Sequence, residues 1–276
     1  MKPMCVLLHG AQHDAGVWAL TRRYLHAQNY KVWAPSLPGH GMRLTLPALT
    51  DIHSMAAWVV QNMPVEQSPV IWIGHSMGSL IALEAARLCP TRTHALVLVA
   101  TSYPMKVAPS LLTQAEHSPL SAMQQINTWS FHTTSQQRIA SNLRMMQRQP
   151  ARTLVTDLHA CNEYTLDETD AEAITCPVLF VVAEHDKMTR PSSALRLASR
   201  FLRHEIAEIP DCGHHIMSER PQAWWQALSR FFTEFALNPN QNTLPAIRSM
   251  SGELQPLPGS RLRAAAVVPP PQDYTD

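Results

Sequence analysis

The segment IWIGHSMGSL, residues 71–80, places Ser76 between Gly74 and Gly78, directly after an apolar run rich in β-branched residues. A strand ending at Ile73 and a helix starting near Ser76 require a sharp turn at the serine. Glycines two positions to either side remove side chains that would collide where the two segments approach. Ser76 then stands at the positive end of the helix, with the Met77 N–H directed at the same point. A serine hydroxyl is a poor nucleophile at neutral pH. To attack a carbonyl it needs a base, a group that orients the base, and donors for the developing oxyanion. A pentapeptide alone does not separate such a nucleophile from an incidental serine in a glycine-rich turn, so the remaining chain has to supply the partners.

Working outward from this segment, short apolar runs bounded by Gly, Pro or Ser recur at Cys5–Leu8, Lys31–Ala34, Val70–Ile73, Ala95–Val99, Val178–Val182 and, more weakly, Glu205–Ile209. Most are near-continuous rather than alternating, as expected of strands buried on both faces of a parallel sheet. Helical patterns lie between them, at Val17–Gln28, Met55–Met63, Ser76–Cys89, Pro191–Phe201 and Pro221–Phe235. Pro90 stops the third, and the last two open with proline at the first helical position. Strands alternating with helices predict an α/β fold with a doubly wound, mostly parallel sheet.

The alternation breaks over residues 101–175, where helix-like pieces fall at Ser121–Trp129, Ser135–Arg148 and Leu154–Cys161 without a convincing strand. This stretch is expected to be a helical cap inserted between a first core part, 1–100, and a second, 176–236, since loops this long are commonly functional lids. From residue 237 to 276 prolines gather among few aromatics, including the triplet 269–271. That composition predicts a disordered or weakly docked tail.

The stretch PDCGHHIMSERP, 210–221, offers a base in the loop after the last predicted strand. His214 follows a glycine that lets the backbone turn and project the imidazole; His215 is its competitor. The stretch VVAEHDKMTRP, 181–191, offers the acid: Asp186 follows a buried strand, and Glu184 lies closer to the strand end. Ser76, Asp186 and His214 thus each fall just past the C-terminal end of a predicted strand, the edge where sites assemble in parallel sheets. Their order, Ser then Asp then His, separates this arrangement from other serine triads. A second oxyanion donor is expected after the first strand, in LLHGAQHDAGVW (7–18), where the Ala11 N–H would pair with that of Met77 and His9 would order the loop.

The segments HGAQHDAGVW (9–18), APSLPGHG (34–41), GHSMG (74–78), ALVLVA (95–100), VLFVVAEHDKMTRP (178–191) and GHHIMSERP (213–221) together resemble the α/β-hydrolase superfamily over residues 4 to about 236. Three departures stand out. The chain starts at what would be the family's third strand, so about six strands are expected. Ser36 stands where many members have Asp, and Ser79 follows the elbow where Gly or Ala is frequent. The resemblance implies a carboxylesterase-like enzyme that cleaves an ester of a small to medium apolar acid through an acyl-enzyme on Ser76. The same residues would also support C–C bond or lactone hydrolysis, cyanohydrin cleavage or perhydrolysis, and a hydrolase-like receptor is a further alternative. Trp129 and Met105 in the insertion, with Met188 and Met217 beside Asp186 and His214, are the expected pocket residues, because methionine fills irregular apolar space.

Bulk properties narrow the partners. With 22 basic and 21 acidic residues in 276, the formal net charge is +1, which provides no electrostatic footprint for nucleic acid or an anionic membrane. No run of about 18 apolar residues occurs. The five cysteines are dispersed and contain no CxxC, pointing to a reducing, cytoplasmic setting. Neither a nucleotide cofactor nor a metal is expected, since GxGxxG, P-loop and HExxH patterns are missing from the sequence. The expected partner is a small-molecule ester, the chain acting as a monomer or homodimer.

Overall fold

Six strands, β1 (Met4–Leu8), β2 (Val32–Trp33), β3 (Val70–His75), β4 (Thr93–Val99), β5 (Val178–Ala183) and β6 (His204–Ile209), form one all-parallel sheet in the computed structural model, which describes residues 2–64, 68–132 and 134–236. Their order across the sheet is β2-β1-β3-β4-β5-β6. The central register pairs Leu7 with Ile73 and Leu8 with Gly74, then Ile73 with Val97 and Val97 with Leu179. The near-continuous apolar runs are explained by this arrangement: every residue of β1, β3 and β5 is buried. Alternate residues face opposite layers. Val6, Trp72, Leu96, Leu98 and Phe180 lie on one side, with Cys5, Leu7, Ile73, Val97 and Val181 on the other.

Helices cover both faces. On the first side, α2 (Ile52–Asn62), α3 (Met77–Leu88) and α9 (Pro191–Ala198) contribute Ile52, Met55, Leu80, Leu83 and Leu197 to the core. On the second, α1 (Ala19–Ala27), α10 (Ile216–Glu219) and α11 (Pro221–Phe231) contribute Leu25, Ile216, Trp224, Leu228 and Phe231. The indole N–H of Trp224 donates to Thr21 Oγ1 at 3.0 Å, so this large buried ring leaves no polar atom unpaired. Among the described residues, no helix is long and apolar enough to cross a membrane.

Between β4 and β5 the chain forms α4 (Pro109–His117), α5 (Pro119–Trp129), α6 (Gln136–Gln147), α7 (Ala151–Glu163) and the short α8 (Glu168–Glu172). The first four enclose their own core of Leu111, Ala115, Ala122, Met123, Ile126, Met146, Leu154 and Leu158. Helix α4 lies where the sequence pattern showed none. Its nine residues sit between Pro109 and Pro119, too few for a helical period to declare itself, and proline opens both α4 and α5. The tail expected over 237–276 lies outside the described residues.

The chain runs outward from β1 to β2 and then returns to the other side of β1 as β3. The carboxyl ends of β1 and β3 therefore flank the point where strand order reverses, the position at which open α/β sheets form their ligand crevice.

Candidate active site

Ser76 occupies the single position between β3 and α3, with φ 53° and ψ −122°, a region that non-glycine residues rarely enter. The surroundings hold it there. Its N–H donates to the Val99 carbonyl at 2.9 Å, and the Ser79 N–H donates to the Ser76 carbonyl at 2.8 Å. The glycines are required sterically: a Cβ on Gly74 would run into the Gly78 carbonyl, and one on Gly78 into the Leu8 carbonyl. Ser79 has a definite use. Its hydroxyl donates to the Ser76 carbonyl at 2.5 Å and meets Thr101 Oγ1 at 2.7 Å, tying the turn to the end of β4.

Asp186 and His214 come together as a buried pair, with Nδ1 of His214 donating to Asp186 Oδ2 at 2.8 Å. That bond places the proton on Nδ1 and leaves Nε2 as the nitrogen able to accept one. The carboxylate is almost fully engaged. Oδ1 accepts the N–H groups of Met188 and Thr189, each at 2.8 Å, and Oδ2 also accepts from Thr189 Oγ1 at 2.7 Å. Burial alone would raise the Asp186 pKa. The charge and hydrogen bond of His214 and the two Thr189 donors outweigh it, and the pKa is held below the ordinary carboxylate value. Thr189 was not singled out from sequence, although a threonine three residues after Asp is a recognisable turn signal.

The two competitors are placed elsewhere. Glu184 is exposed and accepts the Asp211 N–H at 3.0 Å. His215 is buried against Phe131, ring on ring at 4.9 Å, and beside His13 and His75. Burial, followed by those neighbouring imidazoles, holds its pKa well below the usual histidine value.

Ser76, His214, Ala11 and His75 line a cavity of about 390 Å³ under the inserted helices. As first residue of α3, Met77 has no partner within the helix for its N–H. The loop bearing Ala11 is fixed from two sides. His9 donates Nδ1–H to the Gly10 carbonyl at 2.9 Å and accepts the Leu37 N–H on Nε2 at 3.1 Å. His13 faces the Ala11 carbonyl with Nδ1 at 2.7 Å and Asn142 Oδ1 with Nε2 at 2.9 Å. His75 meets the His214 carbonyl at 2.9 Å through Nε2, which must carry the proton because a carbonyl only accepts. His75 therefore braces the loop that carries His214.

The expected pocket residues divide. Met105, Trp129 and Met188 line the cavity, joined by Leu111, Ile126, Leu154 and Leu158. Met217 does not. It is 3 % exposed in the core on the opposite side of the sheet, because the single turn of α10 directs Ile216 and Met217 downward against that core. Sequence reasoning also missed Lys106, Lys187 and Arg190, three cations in the lining of a mostly apolar cavity. Lys187 and Arg190 flank Met188 and Thr189, but nothing in the local pattern separates them from ordinary surface charges.

A second buried pair holds the insertion to the sheet edge. His40 Nε2 meets Asp157 Oδ2 at 2.9 Å with both side chains fully buried, and the Gln12 N–H donates to the same oxygen at 2.8 Å. The other His40 nitrogen faces the Pro38 carbonyl at 3.0 Å. Burial disfavours charge on His40, but the Asp157 carboxylate and the two hydrogen bonds prevail and raise its pKa.

A serine elbow beneath a helical insertion, with a His–Asp pair on the loops after β5 and β6, defines a class of enzyme, and comparison agrees. The model of the alpha/beta hydrolase family matches residues 5–227, and the chain belongs to that family. Among curated proteins it is similar to the pimeloyl-(acyl-carrier protein) methyl ester esterase of Aromatoleum aromaticum, 26 % identical over 249 residues, covering 80 % of this chain and 94 % of the relative. Among solved structures it resembles an esterase from Exiguobacterium antarcticum, with a TM-score of 0.75 at 15 % identity, covering 84 % of this chain and 92 % of that one. It also resembles the enol-lactonase from Burkholderia xenovorans LB400, with a TM-score of 0.73 at 19 % identity, covering 85 % and 92 %. At these identities the structural likenesses concern the fold.

Proposed function

We propose that this α/β hydrolase cleaves carboxylic esters through an acyl-enzyme on Ser76. The observation that carries the reading is the polarised His214–Asp186 pair, whose free Nε2 belongs to the same cavity as the serine held in the strained turn. In the forward step His214 Nε2 takes the Ser76 proton as Oγ attacks the ester carbonyl. The Ala11 and Met77 N–H groups receive the oxyanion, held in place before the charge develops. The imidazolium, stabilised by Asp186, then gives its proton to the departing alkoxide, so the alcohol leaves and the acyl group stays on Ser76. Water enters, loses a proton to Nε2 and attacks the acyl carbon. Collapse of the second tetrahedral intermediate releases the acid, returning the proton to Ser76.

The cavity is apolar in its depth, at Leu111, Ile126, Leu154 and Leu158, and suits a small to medium acyl chain. Lys106, Lys187 and Arg190 suit a substrate with an anionic group beyond that chain. The curated relatives fit this chemistry, since their printed name describes a methyl ester at one end of an acyl chain attached to a carrier protein. All five cysteines are unpaired, which suits a reducing compartment such as the cytoplasm.

A second reading, lactone opening by the same residues, is favoured by the likeness to an enol-lactonase. Initial rates on p-nitrophenyl acetate, butyrate and octanoate, on the monomethyl esters of dicarboxylic acids, and on an enol-lactone distinguish the two. Ester turnover that falls roughly 10³- to 10⁶-fold in Ser76→Ala supports the proposal. Ester turnover retained in that variant, or confined to the lactone in the parent protein, refutes it.

A further inference from the structure

On the surface beside the catalytic loops, His132, His185 and Asp211 each offer one ligand atom, all within 4.8 Å of one another. They lie far apart in the sequence and come from three segments: the loop after α5, the turn after β5 and the turn after β6. We propose that these three side chains bind one divalent cation of the Zn²⁺ class, at a site separate from Ser76.

The backbones under the three residues are cross-tied. Glu219 bridges two of the segments, accepting the His132 N–H on one carboxylate oxygen at 3.0 Å and the Gly213 N–H on the other at 2.9 Å. The His185 N–H donates to the Cys212 carbonyl at 2.9 Å, and the Asp211 N–H donates to Glu184 at 3.0 Å. A Cβ on Gly213 would sit 2.6 Å from the His132 nitrogen, so glycine is what allows these strands of chain to approach. The scaffold is therefore built before any ion arrives, and only side-chain rotation is needed. The His132 and His185 rings stack at 4.0 Å and 19°. Ligand atoms around a tetrahedral ion bound at about 2.0–2.1 Å sit roughly 3.3 Å apart, so closing from 4.8 Å is within reach of rotating exposed side chains.

The donor set selects the ion. Two imidazoles and one carboxylate suit Zn²⁺, Ni²⁺ or Cu²⁺ rather than Mg²⁺ or Ca²⁺, which prefer oxygen throughout. Glu184, 3.6 Å from His185 Nε2, adds negative charge, while Arg220 competes weakly for Asp211 at 3.7 Å. A bound ion would join the loop after α5 to the residue preceding Asp186 and to the loop that carries His214, pinning the insertion to both loops.

Isothermal titration of Zn²⁺ into the full chain at pH 7.5, with thermal unfolding followed in parallel, tests this. The expected result is one ion per chain with a Kd of about 10 µM or tighter. Each of His132→Ala, His185→Ala and Asp211→Asn should weaken binding at least ~10-fold, and Mg²⁺ should give no saturable heat. Zn²⁺ at 100 Kd should also raise the unfolding midpoint by several degrees, an effect absent in the double histidine variant. Absence of Zn²⁺ binding by the parent chain, or undiminished binding by a folded His132→Ala/His185→Ala variant, overturns the proposal.

Discussion

Two buried histidine–aspartate pairs have almost the same geometry, 2.8 Å for His214–Asp186 and 2.9 Å for His40–Asp157, yet they are equipped for different tasks. In the first, the carboxylate is saturated by Thr189 and Met188 donors while the imidazole keeps one nitrogen uncommitted at the cavity. In the second, the imidazole is saturated: one nitrogen meets Asp157, the other the Pro38 carbonyl, and Asp157 Oδ1 has no partner among the described residues. With one nitrogen on a carboxylate and the other on a carbonyl, His40 is held in its charged form and acts as a clamp between the loop after β2 and helix α7. A histidine with one free nitrogen beside a fully hydrogen-bonded carboxylate can exchange a proton with a substrate. The second nitrogen, not the pair, distinguishes them.

Breaking the first pair should produce the largest effect. Asp186→Asn keeps the shape but disturbs the tautomer of His214, and ester kcat should fall about 10⁴-fold, equivalent to about 5.5 kcal/mol of transition-state stabilisation. Steady-state kinetics with the fold checked by circular dichroism measures this, and a loss under tenfold would exclude Asp186 as the orienting group.

Next comes acid. Burial is the leading cause that lowers the pKa values of His9, His13, His75 and His215, while the unfolded chain titrates these groups near the ordinary value of about 6.5. Their neutral forms therefore support the fold above that pH, and the support is lost as pH falls towards the folded values. The slope approaches about 1.4 kcal/mol per pH unit for each histidine, or about 5.6 for four. Denaturant midpoints should drop steeply between about pH 6.5 and 5.5; a flat profile there would contradict the burial of these rings.

Asp157→Ala should destabilise the protein by about 3–5 kcal/mol, since removing one partner strands the other in the interior. His40 carries the opposite sign from the four neutral histidines. Its raised pKa supplies stability in full below about pH 6.5, which is lost as pH rises through the folded value. Urea titrations across pH 6 to 9 should show that alkaline decline in the parent and not in Asp157→Ala.

The smallest effect is expected of Thr189→Val. It removes one donor to Asp186 but leaves both backbone N–H bonds, so kcat should fall by about 3- to 30-fold with KM nearly unchanged. The Asp186 carboxyl should also titrate higher than in the parent, a shift readable by NMR.

Much of the fold was legible because its signals are local or nearly so. β1, β3, β4 and β5 announced themselves as unbroken apolar runs, since each is buried on both faces. Edge strand β2 shrank to Val32–Trp33, half-buried and paired on one side only, inside the longer run expected from composition. Helix α4 was hidden by the prolines that frame it, and Met217 was misplaced because its proximity to His214 in sequence does not determine which side of the sheet it faces.

By itself the amino-acid order determined the turn at Ser76, because Gly74 and Gly78 act within a few residues of the serine and steric exclusion there does not depend on distant chain. It also determined the parallel layering, since the pattern of apolar runs and helices allows few other solutions. Tertiary structure alone decided which histidine meets which carboxylate, that Glu184 serves Asp211 rather than His214, and that His40 is clamped by a helix of the insertion. Those contacts join residues far apart in the chain, and their energies rest on burial and hydrogen-bond direction, which exist only once the sheet and the inserted helices have closed on one another.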